Sequence, residues 1–592
     1  MMGSCPVAVS DAAQPSDDAL VRGHGESFRS FAGIASLFLV GALALTWPLV
    51  SRITNALPAS LGDPLLNSII LGWNAQWLTG RRHSGFWDAP IFYPHDNALA
   101  YSEHLIGQTL FVWPVFAATD NAVLTYNVAL LASFALCGSA CYLWIHALTG
   151  RRDVALVFAA AVTFSPFRMG AQLSRLQMLS IGWLPLALWA IHRYGVTTRV
   201  SYLALVVASL TLLILSNMYM LFLAAPPVGL LIVSVLAAER GQRRRLAIGF
   251  AGGLAAVALL LLPVVQPYRA LNARMGLVHD DEHAAEYSAH LLSYASVHAS
   301  SPPLPWVRTE ITGDQALYPG LVLLLPLFVL AARSVRCGID KSGRRSALLY
   351  SAIGGIALFL SFGPEIRSAD GDVILMSPYA WLRDHVPGLA ALRAPGRFAA
   401  IVSLSLAILG ALGMTALTSR LSVKSRASLA IAALAIIALE AWPKALRVEP
   451  MPREGRKVDQ QLYAWLARQP AAAMLELPAS SLTAQSPVVE LYHQYATLRH
   501  PHRLVNGYSG FNPTSADLFE THHSPFITPG RLPEGVAYLR SLDVRYVVLH
   551  PHDFAEPRRV VEIIKQMQTL PDVVEQHDID RHTIFVLSPR QE

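Results

Sequence analysis

Charge is scarce in this chain. Asp, Glu, Lys and Arg make up 15% of its 592 residues, while hydrophobic residues reach 53% and mean hydropathy is +0.40. A soluble domain carries roughly 25% charge, so a wholly water-soluble protein is excluded and the composition is that of a polytopic α-helical membrane protein. Cysteine is nearly as rare, with four residues. Cys5 and Cys337 fall in segments assigned below to the cytoplasm, and Cys137 and Cys141 stand one turn apart inside an apolar run, where they read as small packing residues. With none in an outer segment, no disulfide framework holds the outside together. Three catalytic signatures are also missing: a Walker A loop, a G-x-S-x-G elbow and an H-E-x-x-H helix. Their absence argues against ATP-driven work and zinc hydrolysis. The net charge of +6 lies largely in short loops, where it orients a membrane protein, and implies no nucleic-acid partner.

Long apolar runs are what the chain has instead. They recur at Phe31–Val50, Ala122–Leu148, Val154–Phe167, Leu176–Ile191, Tyr202–Ser216, Met220–Ala238, Ala247–Pro267, Gly320–Ala332, Ala347–Phe362, Phe398–Leu417 and Ala427–Trp442. Read as crossings of a hydrocarbon core about 30 Å thick, they give about eleven spans. Arg151 and Arg152, Arg193 and Arg199, Arg240 with Arg243 to Arg245, Arg333 through Arg345, and Arg420 through Arg426 fall in alternate connections. The positive-inside rule puts these and the N-terminus in the cytoplasm. The first run has no small-residue cleavage site after it and reads as a retained anchor. Leu105–Ala118 is short and contains Pro114, so it reads as an interfacial or re-entrant segment; a crossing there would invert every downstream arginine cluster.

This topology divides the chain into a cytoplasmic tail (1–30), a transmembrane domain (31–443) and an extracytoplasmic C-terminal domain (444–592). The outer segments are Ser51–Thr119, Tyr268–Pro319 and Gly363–Arg397. The C-terminal region is polar, with β-rich runs at Ala473–Leu477, Val544–Leu549 and Thr583–Leu587 and helix-like stretches at Asp459–Arg468 and Glu534–Leu542, which predicts a soluble α/β domain.

The first outer segment is far longer than a connection needs to be, and it carries chemistry-bearing residues. Gly62-Asp63-Pro64 opens a stretch in which Leu65, Leu66, Ile69, Ile70, Trp73 and Trp77 share one side and Asn67 and Asn74 the other. That pattern predicts a helix lying in the interface plane with its tryptophans at headgroup level. Asp63 is read in two ways, as the cap of that helix or as a carboxylate that acts on a ligand at the outer surface. Tyr101-Ser102-Glu103-His104 offers a second acid and an imidazole able to meet a sugar or phosphate oxygen; Ser102 and Glu103 also fit a helix start. Arg168, Arg175, Arg269, Arg274, Arg393 and Arg397 stand at outer span ends, against the positive-inside bias. Guanidinium groups there suit a phosphate, and lipid headgroup contact is the alternative.

Other polar clusters read as less specific. His279, Asp280, Asp281, Glu282, His283 and Glu286 offer oxygen and imidazole ligands without the spacing of a known metal site, so a solvated face is the simpler reading. The tail histidines His500, His502, His522, His523, His550 and His552 are read the same way. Asn506-Gly507-Tyr508-Ser509-Gly510-Phe511 is a turn-rich aromatic loop that either stacks on a sugar or packs on the membrane domain. The sequence shows no cofactor requirement and gives a divalent metal no support.

An acidic first outer loop with interfacial helices, about eleven spans and an outer C-terminal domain together resemble the GT-C superfamily of integral-membrane glycosyltransferases. More closely, Leu61-Gly62-Asp63-Pro64, Ile91-Phe92-Tyr93-Pro94, Tyr101-Ser102-Glu103-His104, Arg393-Ala394-Pro395-Gly396-Arg397-Phe398 and Asn506–Phe511 resemble bacterial membrane proteins classed as glycosyltransferases of unassigned substrate. The resemblance implies a polyprenyl-phosphate sugar as donor, an extracytoplasmic acceptor and inversion at the anomeric carbon. Asp63 would be the base, Glu103 its acidic partner, and His104, Arg168, Arg175, Arg393 and Arg397 substrate-binding groups. Many superfamily members carry a second acid close to the first; here Pro64 takes the next position. A transporter or flippase of a lipid-linked saccharide, with ionisable groups near mid-membrane, and a non-enzymatic envelope assembly protein remain the alternatives.

Overall fold

The computed structural model describes residues 28–590 other than 277–280, 303, 305–306, 308–314, 325–340, 369–370, 443–445, 452–456, 480–482, 484–486, 514, 516–523, 527 and 529. The N-terminal tail therefore lies almost wholly outside the described residues, as do Cys5, Cys337, His279, Asp280, His522 and His523.

The pillar of the helical domain is Ala122–Thr149, 28 residues long. Asn121 starts it by accepting the Leu124 N–H (2.8 Å), and Gly150 ends it in the left-handed conformation at φ 64°, the conformation that spares glycine a steric penalty. The helices Phe28–Leu45, Arg152–Thr163 and Trp183–Thr197 pack around it, and Cys137 and Cys141 are buried in that packing. Apart from Gly320–Ala332, which lies largely outside the described residues, every apolar run falls on one or more helices.

Among the described residues, Ala122–Thr149, Met220–Ala238, Arg240–Met275 and Pro395–Thr418 are long and apolar enough to cross a membrane, and Ala32–Leu45, Ile106–Thr119 and Val200–Ser216 are apolar but shorter. A count near eleven thus depends on short helices. Arg152–Thr163, with 12 residues, is about 18 Å long, and protein rather than lipid surrounds it because nearly all its side chains are buried. Two arginine-rich ends do meet: the Arg345 guanidinium donates to Ser234 O, close to the chain end that carries Arg240 to Arg245.

Two expectations about the outer segments are corrected. The helix from Arg243 runs on to Met275 through Pro263 and Pro267, because a proline can kink a helix without ending it. Arg269 and Arg274 therefore stand on helix. The Asp63–Leu78 helix does not lie on a surface with one face free: it is buried continuously from Pro64 to Gln76, and Trp73 is 3% exposed. Its polar face has protein partners, described below, and its apolar face is covered by the rest of the outer loop and the C-terminal region. Asp281 meets Arg383 yet keeps its side chain 68% exposed, as a solvated face requires, whereas the tail histidines His500, His502 and His550, read as a solvated face too, are buried.

The C-terminal region builds a five-stranded sheet in the order Arg503–Leu504, Ala473–Leu477, Val544–Leu549, His582–Leu587, Val573–Ile579. The first three strands are parallel and the last two join antiparallel. Side-chain alternation sends Leu475, Leu477, Val547, Leu549, Phe585 and Leu587 into one core and Met474, Tyr546, Val548, Ile584 and Val586 into a second. Helices cover both faces, with Lys457–Leu466 on the second and Leu532–Ser541 and Pro557–Thr569 on the first.

This unit is tied to the first outer loop. Ala56–Pro58 pairs antiparallel with Val448–Pro450, which places the start of the outer loop and the approach to the C-terminal unit on the same side. Gln76 Nε2 donates to Leu498 O (2.7 Å), and the Tyr93 N–H donates to Leu504 O (2.8 Å). Gly72 permits the closest approach: a Cβ there would meet Leu498 Cδ1 at 2.8 Å. The Asn506–Phe511 loop packs on Ile91 and Phe92.

Candidate active site in the first outer loop

Asp63 is the first residue of its helix, between Gly62 at the cap and Pro64 in the first turn, where a missing N–H costs nothing. The helix is held by its own amides: Asn67 Nδ2 donates to Gln177 Oε1 (2.8 Å), and Asn74 Nδ2 donates to His104 O (2.7 Å) and Thr109 Oγ1 (3.0 Å). At the end of this fixed rod the Asp63 side chain stays 39% exposed, and its Oδ2 lies 3.5 Å from Arg175 Nε. Arg175 precedes the short helix Leu176–Leu179 that carries Gln177, and its Nη1 donates to Ala171 O (2.5 Å). The contact that fixes the Asp63 helix and the contact that places Arg175 thus come from one stretch of chain.

Glu103 is built into a different cluster. Its Oε2 accepts the Met218 N–H (2.8 Å) in the break between the helices Val200–Ser216 and Met220–Ala238. Burial raises its pKa to about 7, with the Met218 and Tyr219 N–H groups and the nearby Arg397 charge opposing the shift. Arg397 is 4% exposed, with its guanidinium 4.9 Å from the Tyr219 ring centre. His104 is fully buried against Trp87 and Tyr268. Its Nδ1 accepts the Ile106 N–H (3.1 Å), and burial lowers its pKa to about 3, so the ring is neutral with its proton on Nε2. The Tyr268 hydroxyl closes the cluster by donating to Ser102 O (2.7 Å).

The structure therefore brings Asp63 to Arg175, and Glu103 to Arg397 beside His104. Asp63 and Glu103 do not pair with each other. Arg168 is buried beside neither: Nε donates to Thr163 O (3.2 Å), Nη2 donates to Leu179 O (3.1 Å), and the guanidinium lies 5.5 Å from the Phe134 ring centre. Arg393 rests 4.7 Å from the Tyr287 ring centre. Tyr219, Tyr268, Trp87 and Gln177 were not singled out from sequence. Only the polar break Ser216-Asn217, which interrupts an apolar stretch, offered a signal for the loop that meets Glu103.

No protein-family model matches the chain, and no curated protein matches it. Solved structures do. Over 95% of this chain and 40% of the other, it superposes on the arabinofuranosyltransferase AftD from Mycobacteria with 14% identity and a TM-score of 0.52. This chain has the fold of the GT-C membrane glycosyltransferases. It spans about two fifths of the length of AftD. Similar solved structures also include ArnT from Cupriavidus metallidurans, at 13% identity over 94% of this chain and 98% of the other with a TM-score of 0.45. Another is the Archaeoglobus fulgidus oligosaccharyltransferase AglB in complex with an inhibitory peptide and a dolichol-phosphate, at 13% identity over 88% of this chain and 69% of the other with a TM-score of 0.44. Within the GT-C fold, Asp63 follows the first apolar helix on the side shared with the C-terminal unit.

Proposed function

We propose that the chain is an inverting glycosyltransferase that moves a sugar from a polyprenyl-phosphate donor to an acceptor presented outside the cytoplasm. One observation carries the reading: in a GT-C fold, a carboxylate at the start of a buried, rigidly held helix is left partly exposed beside a guanidinium. Asp63 takes the proton of the acceptor O–H as that oxygen forms a bond to the anomeric carbon from the face opposite the phosphate. The bond from that carbon to the phosphate oxygen breaks, and the lipid phosphate leaves with the electron pair. Arg175, with Arg393 and Arg397, stabilises the charge that develops on it. Arg168 holds the turn before Arg175 in place through its carbonyl contacts. Glu103, protonated near neutral pH, donates a hydrogen bond from its second oxygen to a sugar hydroxyl, while His104, fully buried, holds the segment behind Glu103 rather than meeting the substrate. The donor, membrane lipids and the outer acceptor are the partners.

The transport reading asks for an ionisable group available near mid-membrane. Glu440, the clearest candidate, is instead engaged by the Tyr318 hydroxyl (2.8 Å) and the Leu321 N–H (3.1 Å). The deciding experiment reconstitutes the chain in proteoliposomes with labelled polyprenyl-phosphate sugars and an acceptor extract. Appearance of the label on the acceptor, in the opposite anomeric configuration, supports transfer. Label that crosses the bilayer still attached to lipid supports transport and removes this reading.

A further inference from the structure

A second constellation lies in the C-terminal unit, away from the outer-loop carboxylates. Glu476 sits on the central strand Ala473–Leu477, His493 on the helix Val488–Ala496, and His550 just past the end of Val544–Leu549; all three side chains have zero exposure. His550 Nε2 lies 2.6 Å and His493 Nε2 4.0 Å from Glu476 Oε2, and one ligand atom from each of the three residues falls within 4.8 Å of the others.

We propose that Glu476, His493 and His550 form a structural binding site for a divalent transition-metal cation of the zinc class. The donor set, one carboxylate oxygen and two imidazole nitrogens, is the one that borderline cations favour. At metal–ligand bonds near 2.0–2.1 Å, tetrahedral ligand atoms stand about 3.3 Å apart, a spacing bracketed by the two distances from Glu476. His493 is carried by its helix, and the sheet fixes the other two. Glu476 and Val548 are register partners, the His550 N–H donates to Leu477 O (2.8 Å), and the Tyr463 hydroxyl donates to Glu476 Oε2 (3.0 Å). Such prior fixing is what a metal site requires of its supporting shell. His550 and Glu476 share a hydrogen bond (2.6 Å) in this solvent-free space, and a dication bound by the carboxylate and two neutral imidazoles would engage all three groups at once. Full burial argues for a structural rather than a catalytic metal.

The site also joins the fold to the outer loop. Asn506 Nδ2 donates to Glu476 O (3.1 Å) and to Glu490 Oε2 (2.8 Å), one turn before His493, while Asn506 O accepts the Phe92 N–H (3.4 Å). A metal here would lock the Asn506 loop against the segment that leads to Glu103. This proposal does not depend on the glycosyltransferase reading.

The test uses the full chain, purified in detergent with its affinity tag removed, from zinc-supplemented cells. Elemental analysis should find about one zinc per chain. Cobalt substitution should give the visible bands of a tetrahedral N/O site, and Glu476→Gln and His493→Ala should lose both. Should those variants misfold, the native chain still decides: chelation should lower its melting temperature, and added zinc should restore it. A native chain that binds neither zinc nor cobalt, variants that retain metal at the native level, or a melting temperature indifferent to chelation would each overturn the proposal.

Discussion

Arg175 Nε stands 3.5 Å from Asp63 Oδ2, with the aspartate more than twice as exposed as the arginine. The two residues are far apart in sequence and meet because Asn67 and Gln177 join the Asp63 helix to the turn that follows Arg175. The pair is half-buried, and a single contact at 3.5 Å is too long for a strong hydrogen bond, so its contribution to stability is small and its role in the chemistry is what variants test. Arg175→Gln should leave the melting temperature within a few degrees of native and lower kcat about 10- to 100-fold. Arg175→Lys should recover part of the loss, because charge remains while the fork geometry is gone. A native kcat in Arg175→Gln would make the arginine a bystander.

Glu103 supplies a pH prediction. Its pKa is about 7 in the fold against 4.5 as its ordinary value, with burial as the main cause. The folded chain holds this proton more tightly than the unfolded chain does. The resulting stabilisation is complete below the ordinary value and is lost as pH rises through 7, by up to about 3 kcal/mol. Melting curves should show the native chain losing stability relative to Glu103→Gln between pH 5 and 8. If protonated Glu103 donates to substrate, kcat should fall on an alkaline limb near pH 7, and Glu103→Gln, which mimics the protonated acid, should lack that limb. A native alkaline limb surviving in Glu103→Gln would assign the titration to another group.

Gly72 tests the docking of the C-terminal unit. A Cβ there meets Leu498 Cδ1 at 2.8 Å and Ala122 Cβ at 3.3 Å. The leucine tip can give way to one methyl, so Gly72→Ala should be tolerated. Gly72→Val should cost about 1–3 kcal/mol and speed proteolysis between the helical domain and the C-terminal sheet. Equal melting temperatures and cleavage rates for the two variants would show that the contact does not govern docking.

Tyr268 lies on the long Arg243–Met275 helix, yet its hydroxyl donates to Ser102 O (2.7 Å). Tyr268→Phe should cost about 1 kcal/mol and raise KM more than it lowers kcat, because it loosens the Glu103 segment without removing a reacting group. A change in kcat alone would place the hydroxyl in the chemistry.

How much of this was legible in the sequence differs by region. Ala473–Leu477 and Val544–Leu549 were readable as strands because continuous burial selects apolar and β-branched residues. Val573–Ile579 was missed because it is an edge strand, V-V-E-Q-H-D-I, largely open to solvent. The Asp63 helix was visible from its start signal and apolar spacing, but its burial was not. Asn67 and Asn74 look like a wet face until Gln177 and His104 O, which lie far off in sequence or in an irregular loop, are known as partners. Pairings such as Asp63 with Arg175, or Glu476 with His493 and His550, join residues from separate elements, and no local pattern records them. The arginines at outer span ends were legible as a class, whereas the difference between Arg168, bound to carbonyls, and Arg175, facing a carboxylate, needed the fold.

The central claim is that Asp63 accepts the acceptor's proton during transfer from a lipid phosphate. The most direct measurement is the single-turnover rate of polyprenyl-phosphate release from a labelled polyprenyl-phosphate sugar, with acceptor present, for the native chain and Asp63→Asn, with folding matched by melting temperature. Loss of a general base costs about 100- to 10,000-fold, so the account predicts a fall in that range while the donor still binds. Release by folded Asp63→Asn at the native rate would contradict it and leave Asp63 as the first residue of a helix and nothing more.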